Sequence, residues 1–265
     1  MAEPTSYPEL NDVLRELVTS ARSILSENFC AAYLQGSFAI AEADAHSDVD
    51  FVVVTHDEVG EQQLAGLQLM HKRIHALDVP WAQHLEGSYI PQDRLRRVDP
   101  ARSPFLFLDN GASELVWDDH CNTAVVRWLL REHGIALAGP DPRQLIDPVS
   151  SDELRSEALA AMPEYAAWAR ASNEAGAMSC WQQPYLVLAF CRMLHTAHRG
   201  TVASKREAGE WALGALDPEW AGFIRGALAD RPDPWRRVHE AAEPEDVDRT
   251  LAFIDYAMNT AGVCF

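Results

Sequence analysis

The chain has 265 residues, 48% of them hydrophobic and 23% charged, a globular composition that excludes wholesale disorder and suffices for one large domain or two of modest size. Its formal net charge of -18 disfavours partners with a phosphate backbone and suits a cationic small-molecule acceptor. No run approaches the roughly 18 to 20 apolar residues of a membrane span, and MAEPTSYPELNDVL lacks the basic and apolar regions of a signal peptide, so a cytoplasmic protein without a membrane partner, monomeric or weakly oligomeric, is expected.

Val13, Leu14, Leu17, Val18, Ala21, Ile24 and Leu25 recur at helical spacing and predict an amphipathic helix over 11–29. CAAYLQGS then reads as a short buried strand entering a Gly-Ser turn, and SFAIAEA as a short helix. In SDVDFVVVT an acidic pair precedes β-branched and aromatic residues, which predicts a central strand over 49–55. A helix is expected over 58–76 and a third strand in WAQHLEGSYIP, stopped by Pro91. Residues 92–119, interrupted by Pro100, Pro104 and the Asp109-Asn110-Gly111 turn, give no sustained pattern. AVVRWLLREH is helical and ends at Gly134.

The loop GPDPRQLIDPVS is the expected boundary between a domain over 1–150 and a second over 151–265. Beyond it helices are predicted over 151–172, 184–198, 204–216, 218–229 and 244–261. Ser204 and Glu207 match the S-x-x-E box that caps a helix start. The fold class is therefore α+β: an N-terminal α/β domain with a mixed sheet and helices, followed by an all-α bundle.

Gly36-Ser37 followed by Ser47-Asp48-Val49-Asp50 at the head of an apolar strand is the central motif. Residues i and i+2 of a strand face the same side, so Asp48 and Asp50 present their carboxylates together and call for a cation. Carboxylate oxygens suit Mg²⁺, which completes its shell with water and substrate phosphates. The Gly36-Ser37 turn offers backbone N–H groups, a hydroxyl and the positive end of a helix to the distal phosphates of a nucleoside triphosphate. A third carboxylate is expected from the neighbouring strand for two-metal chemistry. Glu86 and Asp78 are the candidates, and Glu86 is preferred because it lies within the strand pattern. By itself a D-x-D is more often a solvated loop end or a helix cap; the surrounding order of elements makes this one specific.

These residues resemble the nucleotidyltransferase superfamily, and RWLLREHGIALAGPDPRQLIDPV with VLAFCRMLHTAHRGTVASKREAGEWAL is similar to the aminoglycoside adenylyltransferases that modify streptomycin and spectinomycin. The resemblance implies ATP as donor, Mg²⁺ held by Asp48, Asp50 and Glu86, Glu86 as catalytic base, and Lys205 on the triphosphate. Lys205 is one of only two lysines, with Lys72. For the acceptor it points to Trp117 and Gln182, the latter where the family has an acid, and Met178 falls near another family aspartate. Glu114, Asp118 and Asp119 are candidates to compensate. The implied reaction is transfer of AMP to an aminoglycoside hydroxyl with release of pyrophosphate. The alternatives are the same chemistry on another small-molecule or protein hydroxyl, and a non-catalytic nucleotide-binding regulator.

Other signals carry less. His71 and His75 lie four apart without the glutamate of a zinc helix, and His195 and His198 lack a partner in the sequence. His46 adjoins the D-x-D and is read either as tuning the site or as loop. Tryptophans such as Trp128, Trp168 and Trp211 are expected to pack in the helical core. The five cysteines, with no C-x-x-C pair, read as reduced core thiols.

Overall fold

A computed structural model describes residues 3–45, 47–230 and 238–262 and divides the chain into two compact units, Met1–Val149 and Ser150–Phe265. His46 and Cys264 lie outside the described residues.

In the first unit, α1 (Pro8–Leu25) is shorter than the sequence period suggests. Ser26 has φ +51 and breaks the helix, a 3-10 turn follows, and Phe29 already belongs to β1 (Phe29–Leu34). The Gly-Ser turn opens α2 (Gly36–Ala39), a single turn. Strand β2 (Val49–Thr55) has the bounds expected from its apolar run. After it come α3 (Glu61–His75), β3 (Leu85–Pro91) and α4 (Gln92–Leu95).

The stretch without a sequence pattern holds the hairpin of β4 (Phe105–Leu108) and β5 (Leu115–Asp118), joined through the Asp109-Asn110-Gly111 turn. Helix α5 (Ala124–His133) is capped at its start by Thr123 and ends at Gly134. It leads into β6 (Ile135–Ala138), which the sequence did not reveal.

The six strands form one sheet in the order β5-β4-β3-β2-β1-β6. Among the described residues only β2 and β3 run parallel to each other; the other neighbours are antiparallel, so the sheet is mixed. A parallel pair needs a crossover connection, here supplied by α3. Both faces of β2 are buried. Val49, Phe51 and Val53 pack in the core that contains α1 and α3, while Val52 and Val54 pack in the core that contains Leu95 of α4 and Leu130 of α5. That explains why its sequence is a continuous apolar run rather than an alternation.

The second unit is helical: α6 (Ser151–Glu174), α7 (Gln182–Arg199), α8 (Lys205–Ala215), α9 (Ala221–Ala229) and α10 (Pro244–Thr260). Its core gathers Met162, Leu186, Phe190, Cys191, Ile224, Phe253 and Ile254. Both Ser150 and Ser204 cap their helices with reciprocal boxes to Glu153 and Glu207, each worth about 1 kcal/mol of helix stability. Among the described residues no helix is long and apolar enough to cross a membrane.

Candidate active site

The parallel register of β2 and β3 decides which carboxylates meet. Asp50 pairs with Glu86 through their Cα positions, so their side chains leave the same face of the sheet, and Asp48 lies two residues before Asp50 on that face. All three are partly buried. Asp78, the other candidate for the third acid, lies exposed in the turn ahead of β3.

Gly36 closes the site from the β1 side. It has φ +62, and a Cβ built on it would lie 1.8 Å from Asp50 Oδ2. Glycine is thus required twice, for its left-handed backbone and for the approach of the Asp50 carboxylate. The Gln35 N–H donates to the Asp50 carbonyl at 2.8 Å, tying the turn to the strand. Ser37 is partly buried in the same turn. Because α2 is one turn long, this end of the chain offers backbone N–H groups rather than the dipole of a long helix.

The β4–β5 hairpin brings further groups to the acidic face. Ser88 pairs with Phe107, Phe107 with Val116 and Phe105 with Asp118, so Asp118 shares the face of Asp50 and Glu86. Asn110 in the hairpin turn donates from Nδ2 to Asp48 Oδ1 at 2.6 Å, and its Oδ1 lies 3.2 Å from His84 Nδ1. Beyond β5, the Nε2 of His120 lies 3.4 Å from Glu86 Oε1. The His120 ring stacks on Phe107 at 5.1 Å between centroids, and its backbone N–H donates to Asp118 Oδ1 at 2.7 Å.

The field on this face is negative, and its neighbours register it. The hydrogen bond to Glu86 raises the His120 pKa above the ordinary value against the opposing effect of burial, and the charges of Glu86, Asp118 and Asp50 add to it. Asp109 is raised by burial first and then by the nearby Glu86. The Cys121 thiol is pushed up to about 12, mainly by burial, with Glu86, Asp50 and Asp118 contributing, so it is an inert thiol. Asn110 was missed in the sequence because it lies in the region without a readable pattern, and His120 because it falls between that region and the next helix.

Other sequence candidates lie off the acidic face of the sheet or within the second unit. Trp117 pairs with Leu106 on β4, and Leu106 packs in the core of the opposite face. Trp117 therefore turns away from the three carboxylates and is 52% exposed on the edge strand. Gln182 is buried in the second unit, where its Nε2 donates to Ser172 Oγ at 2.8 Å and its backbone N–H to Ser179 Oγ at 3.1 Å; Met178 is also buried. A buried amide held this way is a helix-packing element. Glu114 is paired with Lys72 and Asp119 with Arg102, each at 2.8 Å, so of the three compensating acids Asp118 alone faces the carboxylate group.

Lys205, first residue of α8, has its Nζ 4.7 Å from the centre of the Tyr185 ring, and Tyr185 stacks on Trp181 at 4.9 Å. Trp168, expected in the core, is 40% exposed and meets Tyr185 edge-on. His71 and His75 do not act as a pair: His71 is buried against the Tyr89 hydroxyl at 2.8 Å, and His75 lies 3.2 Å from the Gly111 carbonyl. His195 and His198 both pack on Trp211.

Among the described residues no group of three His, Cys, Asp or Glu side chains forms a metal cage. Mg²⁺ at nucleotide sites takes one or two carboxylates and leaves its remaining positions to water and phosphate. Asp48 and Asp50, two oxygen donors on one face, fit that requirement.

Residues 144–257 match the family model described as aminoglycoside adenylyltransferase, C-terminal domain. An aminoglycoside (3'')(9) adenylyltransferase of Shigella flexneri is 26% identical over 243 residues, covering 82% of this chain and 83% of that protein. One of Escherichia coli is equally similar, over 82% of each chain. The crystal structure of spectinomycin adenyltransferase AAD(9) from Enterococcus faecialis with ATP and spectinomycin shares the fold, with a TM-score of 0.71 over 94% of this chain and 98% of that one at 15% identity. The mixed sheet with its acidic face, the helical second unit and these similarities agree in one direction: the chain has the fold of that adenyltransferase and is similar to the aminoglycoside adenylyltransferases over about four-fifths of its length.

Proposed function

We propose that the protein transfers AMP from ATP to a hydroxyl of an aminoglycoside-type antibiotic, of the streptomycin or spectinomycin kind, and releases pyrophosphate. The observation that carries this reading is the register pairing of Asp50 with Glu86, with Asp48 two residues away, in a chain similar to aminoglycoside (3'')(9) adenylyltransferases over four-fifths of its length.

Asp48 and Asp50 are the residues that would hold Mg²⁺, whose charge offsets that of the triphosphate when bound. Gly36 and Ser37 present backbone N–H groups and a hydroxyl to the phosphates, and Lys205 is assigned to the triphosphate. Glu86 takes the proton of the acceptor hydroxyl on a carboxylate oxygen. The acceptor oxygen then bonds to the α-phosphorus as the bond from that phosphorus to the bridging oxygen breaks, and pyrophosphate leaves with the electron pair. A cytoplasmic location, where ATP is abundant, belongs to the same proposal, as does a cationic acceptor for a chain of net charge -18.

The experiment is pyrophosphate release by the purified protein with Mg²⁺ and ATP, first alone and then with streptomycin, spectinomycin and other aminoglycosides. Drug-dependent release with a product heavier by one AMP is expected. Glu86→Gln is expected to lower turnover by at least about 10²-fold while nucleotide binding, followed by calorimetry, stays within a few-fold; a variant that turns over like the wild type removes Glu86 from the base role. A second reading keeps the chemistry and changes the acceptor. It is favoured by the buried, neutral Gln182 and Met178, and it is identified by ATP binding with no drug-stimulated release.

A further inference from the structure

The β4–β5 hairpin does more than extend the sheet. Asn110 from its turn holds Asp48, and His120 just after its second strand reaches Glu86, so one hairpin touches both ends of the carboxylate group. We propose that His120 is a positioning residue for Glu86: its Nε2–H donates to Glu86 Oε1, fixing the rotamer that turns the other carboxylate oxygen toward the acceptor. This rests on the reading of Glu86 as the base.

A carboxylate only accepts hydrogen bonds, so the ring nitrogen facing it carries a proton. The 3.4 Å separation is longer than an ideal N–H···O bond, as hydrogen bonds in catalytic sites often are before substrate binds. What makes the arrangement a device is the support beneath the ring. One face lies on Phe107, and the backbone is held by Asp118. Two residues on, Asn122 donates to the Ser103 carbonyl at 3.1 Å and accepts from the buried Arg127 at 2.9 Å. Arg127 in turn binds the carbonyls of Arg94, Leu95 and Thr123. The His120 turn is thus fastened to α4 and α5, while Glu86, with 18% of its side chain exposed against 54% for His120, is the inner partner. Such outer partners set the orientation and basicity of the groups they hold, and their loss costs about 10- to 100-fold in activity.

Two substitutions separate the donor from the bulk of the ring. His120→Leu keeps an apolar contact for Phe107 and removes the donor; His120→Gln places an amide N–H near the position of Nε2. With drug-dependent pyrophosphate release as the assay, His120→Leu is expected to lower kcat about 10- to 100-fold with the KM for ATP within about 3-fold. His120→Gln is expected to recover most of the loss. In parallel, the imidazole ¹⁵N resonance of His120, assigned by its disappearance in His120→Gln, is expected to move in Glu86→Gln.

Wild-type turnover by His120→Leu, equal losses in both variants, or a His120 resonance indifferent to Glu86→Gln would each overturn the proposal. Where no drug supports turnover, the resonance decides the contact by itself. An active Glu86→Gln enzyme refutes the base role; an inactive one beside a fully active His120→Leu refutes only the positioning role.

Discussion

Gly36→Ala tests the geometry of the site most directly, because the residue touches neither the core nor any proposed acceptor contact. The substitution places a methyl group 1.8 Å from Asp50 Oδ2 and 2.5 Å from its Cγ. Contacts of a Cβ shorter than 3.0 Å are essentially never seen, so the carboxylate retreats by at least the difference, 3.0 − 1.8 = 1.2 Å. At φ +62 an L-residue also costs about 1–2 kcal/mol of backbone strain. A displacement of ~1 Å in a group that positions reacting atoms costs on the order of 100-fold in rate, or about 2.7 kcal/mol on the barrier. The variant is therefore expected to lose about 100-fold in kcat for drug-dependent pyrophosphate release. Its melting temperature, read by circular dichroism, falls by about 2–8 °C, the range set by the backbone strain in a chain of this size. Turnover within a few-fold of wild type in a folded variant would refute the argument that Asp50 must sit against Gly36 for the chemistry to proceed.

Two further outcomes concern stability. Arg127 is 1% exposed and donates to three backbone carbonyls and to Asn122; Arg127→Met leaves those buried acceptors unsatisfied and is expected to cost ~3–5 kcal/mol in urea unfolding, and an unchanged midpoint would refute it. His71 is buried against Tyr89, and burial lowers its pKa to about 3. The unfolded chain takes up this proton near pH 6.5 and the folded chain near 3, so between these values the unfolded state binds more protons. Stability is fully present above pH 6.5 and falls by up to about 1.4 kcal/mol for each pH unit below it. His71→Gln is expected to flatten this part of the unfolding free energy measured against pH, and the same slope in both proteins would exclude His71 as its source.

The parts of the candidate site that were legible in the sequence are those whose signal is local. Asp48 and Asp50 head a strand whose apolar run declares itself without help from the rest of the chain, and Glu86 sits in the next readable strand. Strands β4, β5 and β6 have four residues each, too few for a period, and they are held by pairing with residues distant in the sequence: Phe107 with Ser88, Ile135 with Leu34. A strand that exists because of its neighbour leaves little trace in its own composition. The face of Trp117 was illegible for the same reason, since a shift of one residue in register reverses every side chain of a strand. The burial of Gln182 was illegible because it is set by Ser172 and Ser179, which no spacing rule connects to it.

The groups found only in the structure, Asn110 and His120, each contact a carboxylate that the sequence had singled out. Asp48, Asp50 and Glu86 come from the rigid centre of the sheet, where both faces are packed and the register is fixed. Asn110 and His120 come from the short hairpin at one edge of the sheet, whose β5 residues Val116 and Trp117 are exposed. Mobility is greatest where burial is least, so an edge hairpin holds a side chain in place only where it is fastened. Here the fastening is visible. Gln68 of α3 exchanges two hydrogen bonds with the backbone of Leu115, at 2.8 and 3.0 Å, and Arg127 secures the turn that follows β5 through Asn122. One side of the hairpin is thereby tied to the helix between β2 and β3, the strands that carry the acids. The chain thus separates two tasks: the sheet centre supplies charge at fixed spacing, and a pinned edge supplies the hydrogen bonds that orient it.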